Sequence, residues 1–359
     1  MRLVSTFRPA AGMAGLALLC ACQPSRPAAE PMPMPTGAGA MAQPDAQMQA
    51  VLDQLMALGA KPVETLTPEQ ARSQPSPADA VMALLQRTGR GTAPEPVGSV
   101  QNRTIPGPGG MIPVRIYTPA GSGPFPVVVY YHGGGWVIAT IDTYDASARA
   151  LANAARAVLV SVEYRKGPEN RFPAAHDDAF AAYQWVLANA ASIGGDPRRV
   201  ATAGESAGGG LAVEVAMMAR DRGVALPLHV LSVYPIADGD TESPSYVENA
   251  MARPLSRAGM QWFFRYYPRT PADLRDPRIS LVRANLRGLP PTTIVNAQID
   301  PLRSDGEQLA TALRAAGVQV EQRTWTGVTH EFFGMGAVVD KAKEAVQYGA
   351  AGLRRGFGG

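Results

Sequence analysis

A chain of 359 residues with 46% hydrophobic and 18% charged side chains can bury a large core, and α/β enzymes often stretch a single core this far. A net charge of +3 with no dense Lys/Arg stripe argues against nucleic acid as a partner. No apolar run reaches the roughly 18 residues a membrane-spanning helix needs.

The N-terminus stands apart from the rest. Arg2 and Arg8 precede the apolar stretch 10–19, which is too short to span a bilayer and has the make-up of a secretory signal. The chain's two cysteines close it. Leu19-Cys20-Ala21-Cys22 resembles the bacterial lipobox, with Leu three residues before the lipidated cysteine and a small residue just before it. By that resemblance Cys22 becomes the acylated first residue of a mature protein facing the periplasm or the cell surface. The plainer alternative is an ordinary export signal with incidental cysteines and a periplasmic product. On either reading the mature chain has no disulfide, although export would permit one.

Residues 23–44 are rich in Pro, Ala, Met and Gly and read as a tether, because such a stretch cannot bury enough apolar surface to fold. Met48, Val51, Leu52, Leu55 and Met56 then recur at helical spacing. Thr67-Pro68-Glu69-Gln70 has a Thr cap, Pro in the first turn and Gln at the capping-box position, so a helix starts there. Another helical run covers about 78–88. These helices precede any strand and are expected to lie over something built later.

Strands follow. Segments 98–105 and 112–118 flank Pro106-Gly107-Pro108-Gly109-Gly110, which predicts a hairpin. Residues 126–131 form a continuous apolar run, as in a strand buried on both faces, and similar runs recur at 157–163, 199–203, 228–233 and 292–297. Helical patterns separate them, which predicts a parallel sheet covered on both sides. Residues 239–275 break the alternation and place Trp262, Phe263, Phe264, Tyr266 and Tyr267 on a helix, as core packing or as a pocket wall.

Gly204-Glu205-Ser206-Ala207-Gly208 is a G-x-S-x-G motif after a strand and before a helix expected over 211–222. There the tight turn lifts the Ser hydroxyl above the sheet as a nucleophile, and glycines on either side avoid clashes. His132-Gly133-Gly134-Gly135-Trp136 follows another strand, where side-chain-free residues let backbone N–H groups approach a developing oxyanion. A phosphate cradle fits this run poorly, since no Lys-Ser/Thr follows and no GxGxxG spacing is present. A Ser nucleophile needs a base, and of His132, His176, His229 and His330 only His330 lies far enough downstream, in a loop after the strand-like segment 318–325. Asp300 ends a strand and is the expected acid, with Asp305 in the following helix as the competitor. His229 reads as a hydrogen-bonded core residue, His132 as a brace of the glycine loop and His176 as a surface or structural residue. The histidines and cysteines show no metal-ligand spacing, so neither metal nor cofactor is expected.

With these motifs in order, the chain resembles the hormone-sensitive-lipase family of bacterial esterases over nearly its whole mature length. The resemblance rests on His132–Trp136, Glu163-Tyr164-Arg165, Pro168-Glu169, Phe172-Pro173-Ala174-Ala175, Asp178, Gly204–Gly209, Asp300-Pro301-Leu302-Arg303 and His330. It implies an α/β-hydrolase fold, with a mostly parallel eight-stranded sheet, helices on both faces and a helical cap. Carried over, the triad falls on Ser206, Asp300 and His330, and the oxyanion hole on Gly133, Gly134, Gly135 and the Ala207 N–H. Trp136, Glu205 and Phe332 are the candidate substrate-contacting side chains. The cap falls on 45–92 and 239–275, and the core on 93–238 and 276–359. Three residues depart from the pattern: Glu205 stands where Asp is usual, Lys166-Gly167 where Leu-Ala is usual, and Glu331 where Gly is common. The implied reaction is hydrolysis of a small carboxylic ester of short to medium chain through an acyl-enzyme. An arylformamidase or amidase would share the triad, whereas a non-catalytic receptor on the same fold would lack His330. Oligomeric state is not legible, and the only membrane contact expected is the lipid anchor.

Overall fold

The computed structural model describes residues 42–359, so the signal, Cys20, Cys22 and all but the last three residues of the tether lie outside the described residues. Eight strands form one sheet: β1 (Ser99–Gly107), β2 (Gly110–Thr118), β3 (Phe125–Tyr131), β4 (Val158–Val162), β5 (Gly195–Glu205), β6 (Val230–Val233), β7 (Thr292–Ile299) and β8 (Val320–Thr329). Their order is β1-β2-β4-β3-β5-β6-β7-β8. The β1–β2 hairpin and the β2–β4 pair are antiparallel, and every later pairing is parallel. This is the expected α/β-hydrolase architecture.

The continuous apolar strands are explained by burial on both faces. In β3, Val127, Val129 and Tyr131 enter one core while Val128 and Tyr130 enter the other, following the two-residue period of a strand. Among the described residues ten α-helices accompany the sheet: α1 (Ala46–Ala57), α2 (Pro68–Ser73), α3 (Pro77–Arg87), α4 (Asp145–Ala155), α5 (Ala174–Asn189), α6 (Ala207–Asp221), α7 (Pro244–Glu248), α8 (Arg257–Tyr266), α9 (Arg303–Ala315) and α10 (Asp340–Gly356). Helices α5, α6 and α9 cover the first face and α4 and α10 the second.

The N-terminal helices are capped, at α2 as predicted and at α1 and α3 by residues the sequence did not single out. Thr67 and Gln70 close a capping box at α2, Ser76 and Asp79 close another at α3, and the Asp45 side chain accepts from the Met48 N–H at α1. Helix α2 docks through Arg72, whose guanidinium donates to Val137 O at 2.9 Å and Gly167 O at 2.6 Å and pairs bidentately with Glu169. That arrangement ties α2 to the loop after β3.

Two boundaries differ from the sequence expectation. Helix α6 begins at Ala207, four residues early, because Gly208–Gly210 form its first turn instead of a loop. A Cβ on Gly208 would lie 2.0 Å from Tyr131 O, so close packing of α6 on β3 explains this glycine. Strand β8 runs on to Thr329, so His330 follows it directly.

Candidate active site

Ser206 sits between β5 and α6 with φ 57° and ψ −118°, a conformation a side-chain-bearing residue rarely holds. The strain is pinned from both sides. The Ser206 N–H donates to Val233 O at 2.9 Å, and its carbonyl accepts from Gly210 and Ile236, each at 3.1 Å. The turn is so tight that a Cβ on Gly204 would lie 2.1 Å from Gly208 O.

His330 reaches Ser206 from the end of β8. Its Nε2 is 3.0 Å from Ser206 Oγ and its Nδ1 is 2.7 Å from Asp300 Oδ2. An ionised carboxylate only accepts, so Nδ1 carries the proton and Nε2 is left to accept from the Ser hydroxyl. Asp300 is fully buried, and its other oxygen accepts the Leu302 N–H at 2.8 Å. Burial alone would lower the proton affinity of His330. The neighbouring carboxylates, Asp300 foremost with Glu331 and Glu205 behind it, together outweigh it, and the imidazole is raised above its ordinary pKa of 6.5.

Asp305, the competing carboxylate, points elsewhere. Its Oδ2 accepts the N–H groups of Ala237 and Asp238 at 3.0 and 3.1 Å and so anchors the loop after β6.

The glycine loop lies beside Ser206. A Cβ on Gly133 would fall 3.2 Å from Ser206 Cβ, and Gly134 (φ 92°) and Gly135 (φ 57°) face the pocket. Among the described residues, no backbone hydrogen bond uses the N–H of Gly134, Gly135 or Ala207, whereas Gly134 O accepts from Val137 and Ile138. The loop is braced from behind. His132 Nδ1 lies 2.7 Å from Gly133 O, its ring stacks on Tyr164, and the Tyr164 hydroxyl donates to His132 O. Burial lowers His132 to a pKa of about 4, so it is neutral and serves as the expected brace. Lys166 pairs with Glu163 and donates to Ala139 O, which gives the Lys166 departure a role in holding the loop's far end.

A cavity of about 240 Å³ opens above Ser206. Its walls come from the N-terminal helices through Leu55 and Val63 and from the segment after β6 through Leu255, Met260 and Phe263. The two segments grip each other, since Trp262 Nε1 donates to Leu66 O at 2.8 Å and Ser256 Oγ to Glu64 at 3.0 Å. Phe263 of the aromatic cluster is therefore pocket wall, packed so near the loop that a Cβ on Gly135 would meet its ring at 2.2 Å.

The substrate-contacting assignments need correction. Trp136 is buried and stacks on Tyr267 with centroids 4.9 Å apart, because its backbone turns with φ 59° and sends the ring into the core. Glu205 is buried beneath the nucleophile, where the hydroxyls of Tyr130 and Tyr234 each donate to it at 2.5 Å. Burial raises its pKa to about 7. Phe332 is fully buried and packs near Tyr234 and Trp325. None of the three lines the cavity. His176 is not a surface residue either, being fully buried 3.7 Å from Glu214. His229 bonds Thr293 Oγ1 at 2.9 Å, as a core residue would.

Sequence reasoning missed Tyr144 and Arg72, which line the cavity, and Glu331, noted there only as a departure. None lies in a motif, and only the Glu331 position after His330 carried a signal. Among the described residues no three His, Cys, Asp or Glu side chains converge as a metal centre would require.

Residues 128–334 match the family described as alpha/beta hydrolase fold. The chain is 43% identical over 275 residues to the carboxylesterase NlhH of Mycobacterium tuberculosis, covering 74% of this chain and 85% of that enzyme. It is 33% identical over 290 residues to an ethyl acetate hydrolase of Pseudomonas putida, covering 79% and 89%. Among solved structures, a hyperthermophilic esterase from Pyrobaculum calidifontis superposes with a TM-score of 0.79 at 35% identity, covering 88% of this chain and 99% of that one.

Proposed function

The chain belongs to the hormone-sensitive-lipase-like family of α/β-hydrolases and is a serine carboxylic ester hydrolase, and on that premise we propose that Ser206, His330 and Asp300 perform the reaction on short- to medium-chain esters. The observation that carries this reading is the unbroken relay from Ser206 Oγ to His330 at 3.0 Å and on to Asp300 at 2.7 Å, at the floor of the cavity.

Ser206 Oγ attacks the ester carbonyl carbon as His330 Nε2 takes its proton. The carbonyl oxygen becomes an oxyanion facing the glycine loop and the Ala207 N–H, donors that each contribute roughly 2.7–4 kcal/mol in comparable sites. Collapse of the tetrahedral intermediate breaks the bond to the alcohol, which leaves with the proton from His330. Water then repeats the cycle on the acyl-Ser206 ester. Asp300 fixes the tautomer and stabilises the imidazolium.

The cavity of about 240 Å³, with Phe263 in its wall, supports the chain-length reading. Acetyl to hexanoyl p-nitrophenyl esters should be turned over faster than dodecanoyl, with no activation at a lipid–water interface. A preference for emulsified long-chain triglycerides would overturn it. We also propose, from the first 22 residues of the sequence alone, that Cys22 is lipidated and anchors an exported enzyme.

A further inference from the structure

The geometry points to Glu331 as a positioning residue: a second carboxylate that holds the His330 imidazolium from its Nε2 side, opposite Asp300. The inference rests on the triad reading above. Glu331 Oε1 lies 3.9 Å from His330 Nε2, the same nitrogen that faces Ser206 Oγ. That distance is too long for a hydrogen bond, so Nε2 stays free for the Ser hydroxyl while still feeling the charge.

The carboxylate is fixed in place. The Tyr144 hydroxyl donates to it, lying 2.7 Å from both oxygens, and the same hydroxyl lies 2.1 Å from where a Cβ on Gly133 would fall. Glu331 thus bridges the catalytic imidazole and the underside of the glycine loop. Its backbone holds φ 73°, a left-handed conformation that costs a side-chain-bearing residue but aims the carboxylate at the pocket.

The other groups around the imidazole leave this role to Glu331. Asp300, at the end of β7, occupies Nδ1. Glu205, at the end of β5, lies below with its oxygens taken by Tyr130 and Tyr234, and the Tyr234 ring packs 4.5 Å from the imidazole. Lys61, Glu64, Arg72 and Arg253 line the same cavity; Glu64 accepts from Ser256 Oγ and Arg72 is committed to Glu169. An anion this close favours the protonated imidazole, so it stabilises the ion pair formed as Ser206 attacks. Burial raises the Glu331 carboxyl itself, opposed by His330 and Tyr144.

The test is the pH dependence of kcat/KM for p-nitrophenyl acetate in the full chain, Glu331→Gln and Glu331→Gly, with melting temperatures to verify folding. The glycine variant suits the left-handed backbone, so it removes the charge without strain. In both variants the acid limb should move to lower pH by about one unit, a tenfold loss of proton affinity. The plateau should fall about tenfold. Limbs that coincide with wild type in both variants, or a shift in only one of these differently shaped variants, would overturn the proposal. If Ser206→Ala is inactive while the limbs stay put, only the Glu331 role fails. An active Ser206→Ala would remove the triad and this inference with it.

Discussion

Asp300 and Asp305 are both buried and five residues apart, yet they serve different ends, and substitution should separate them. Asp300→Asn should keep the fold and lose roughly 10⁴ in kcat by favouring the wrong His330 tautomer. Asp305→Asn should leave turnover nearly intact and cost about 1–2 kcal/mol of stability through the Ala237 and Asp238 N–H groups. If Asp305→Asn proves the more damaging to kcat, the acid has been misassigned. The proton affinity of His330 is raised overall, so kcat/KM should rise with pH through an apparent pKa above 6.5. A profile flat between pH 5 and 8, for an ester whose chemistry limits the rate, would contradict a His general base. Ser206, Asp300 and His330 were legible in the sequence because motif, order and strand ends constrain them together. Trp136, Glu205 and Phe332 were not, because adjacency to a catalytic residue says nothing of which way a side chain points. At the end of β5 the side chain of Glu205 drops among the tyrosines below while Ser206 turns up into the cavity.

At the scale of elements, the segment after β6 and the N-terminal helices jointly decide what fits above Ser206. Phe263→Ala should deepen the cavity and raise the decanoyl-to-butyryl ratio of kcat/KM by about tenfold, within the energy of a few buried methylenes. An unchanged ratio would mean that the acyl chain lies elsewhere. Arg72→Ala should release α2 from Val137 and Gly167, lowering kcat/KM several-fold through a looser glycine loop, with a modest fall in melting temperature. The strands were legible as continuous apolar runs or as a hairpin, and the start of α2 as a capping box. The start of α6 was not, because Gly208–Gly210 have the composition of a loop and only the approach of α6 to β3 at Gly208, and to the end of β6 and the loop after it at Gly209 and Gly210, explains them. The end of β8 was missed for a similar reason, since Gly327, at φ 68°, interrupts the apolar pattern while the strand continues past it.

For the whole molecule, a parallel sheet covered on both faces could be read from alternating strands and helices, but the placement of β4 between β2 and β3 could not, because pairing is decided by packing far apart in sequence. The N-terminal boundary carries its own test. Asp45 donates its N–H to Gly327 O at 2.8 Å and pairs with Lys341, so a chain starting at residue 42 should be soluble and fully active, and one starting at 46 less stable. If Cys22 is lipidated, the full chain made in a Gram-negative host should partition with membranes and resist salt, and Cys22→Ser should abolish this. An unmodified N-terminus beginning elsewhere would leave an exported enzyme with the same catalytic centre. The central claim is that one serine carries the acyl group, and covalent labelling tests it most directly. Stoichiometric inactivation with a fluorophosphonate, followed by peptide mass spectrometry, should place a single adduct on Ser206, and folded Ser206→Ala should take no label and lose on the order of 10⁶ in kcat. An adduct on another residue, or more than about a tenth of wild-type turnover in Ser206→Ala, would contradict the account.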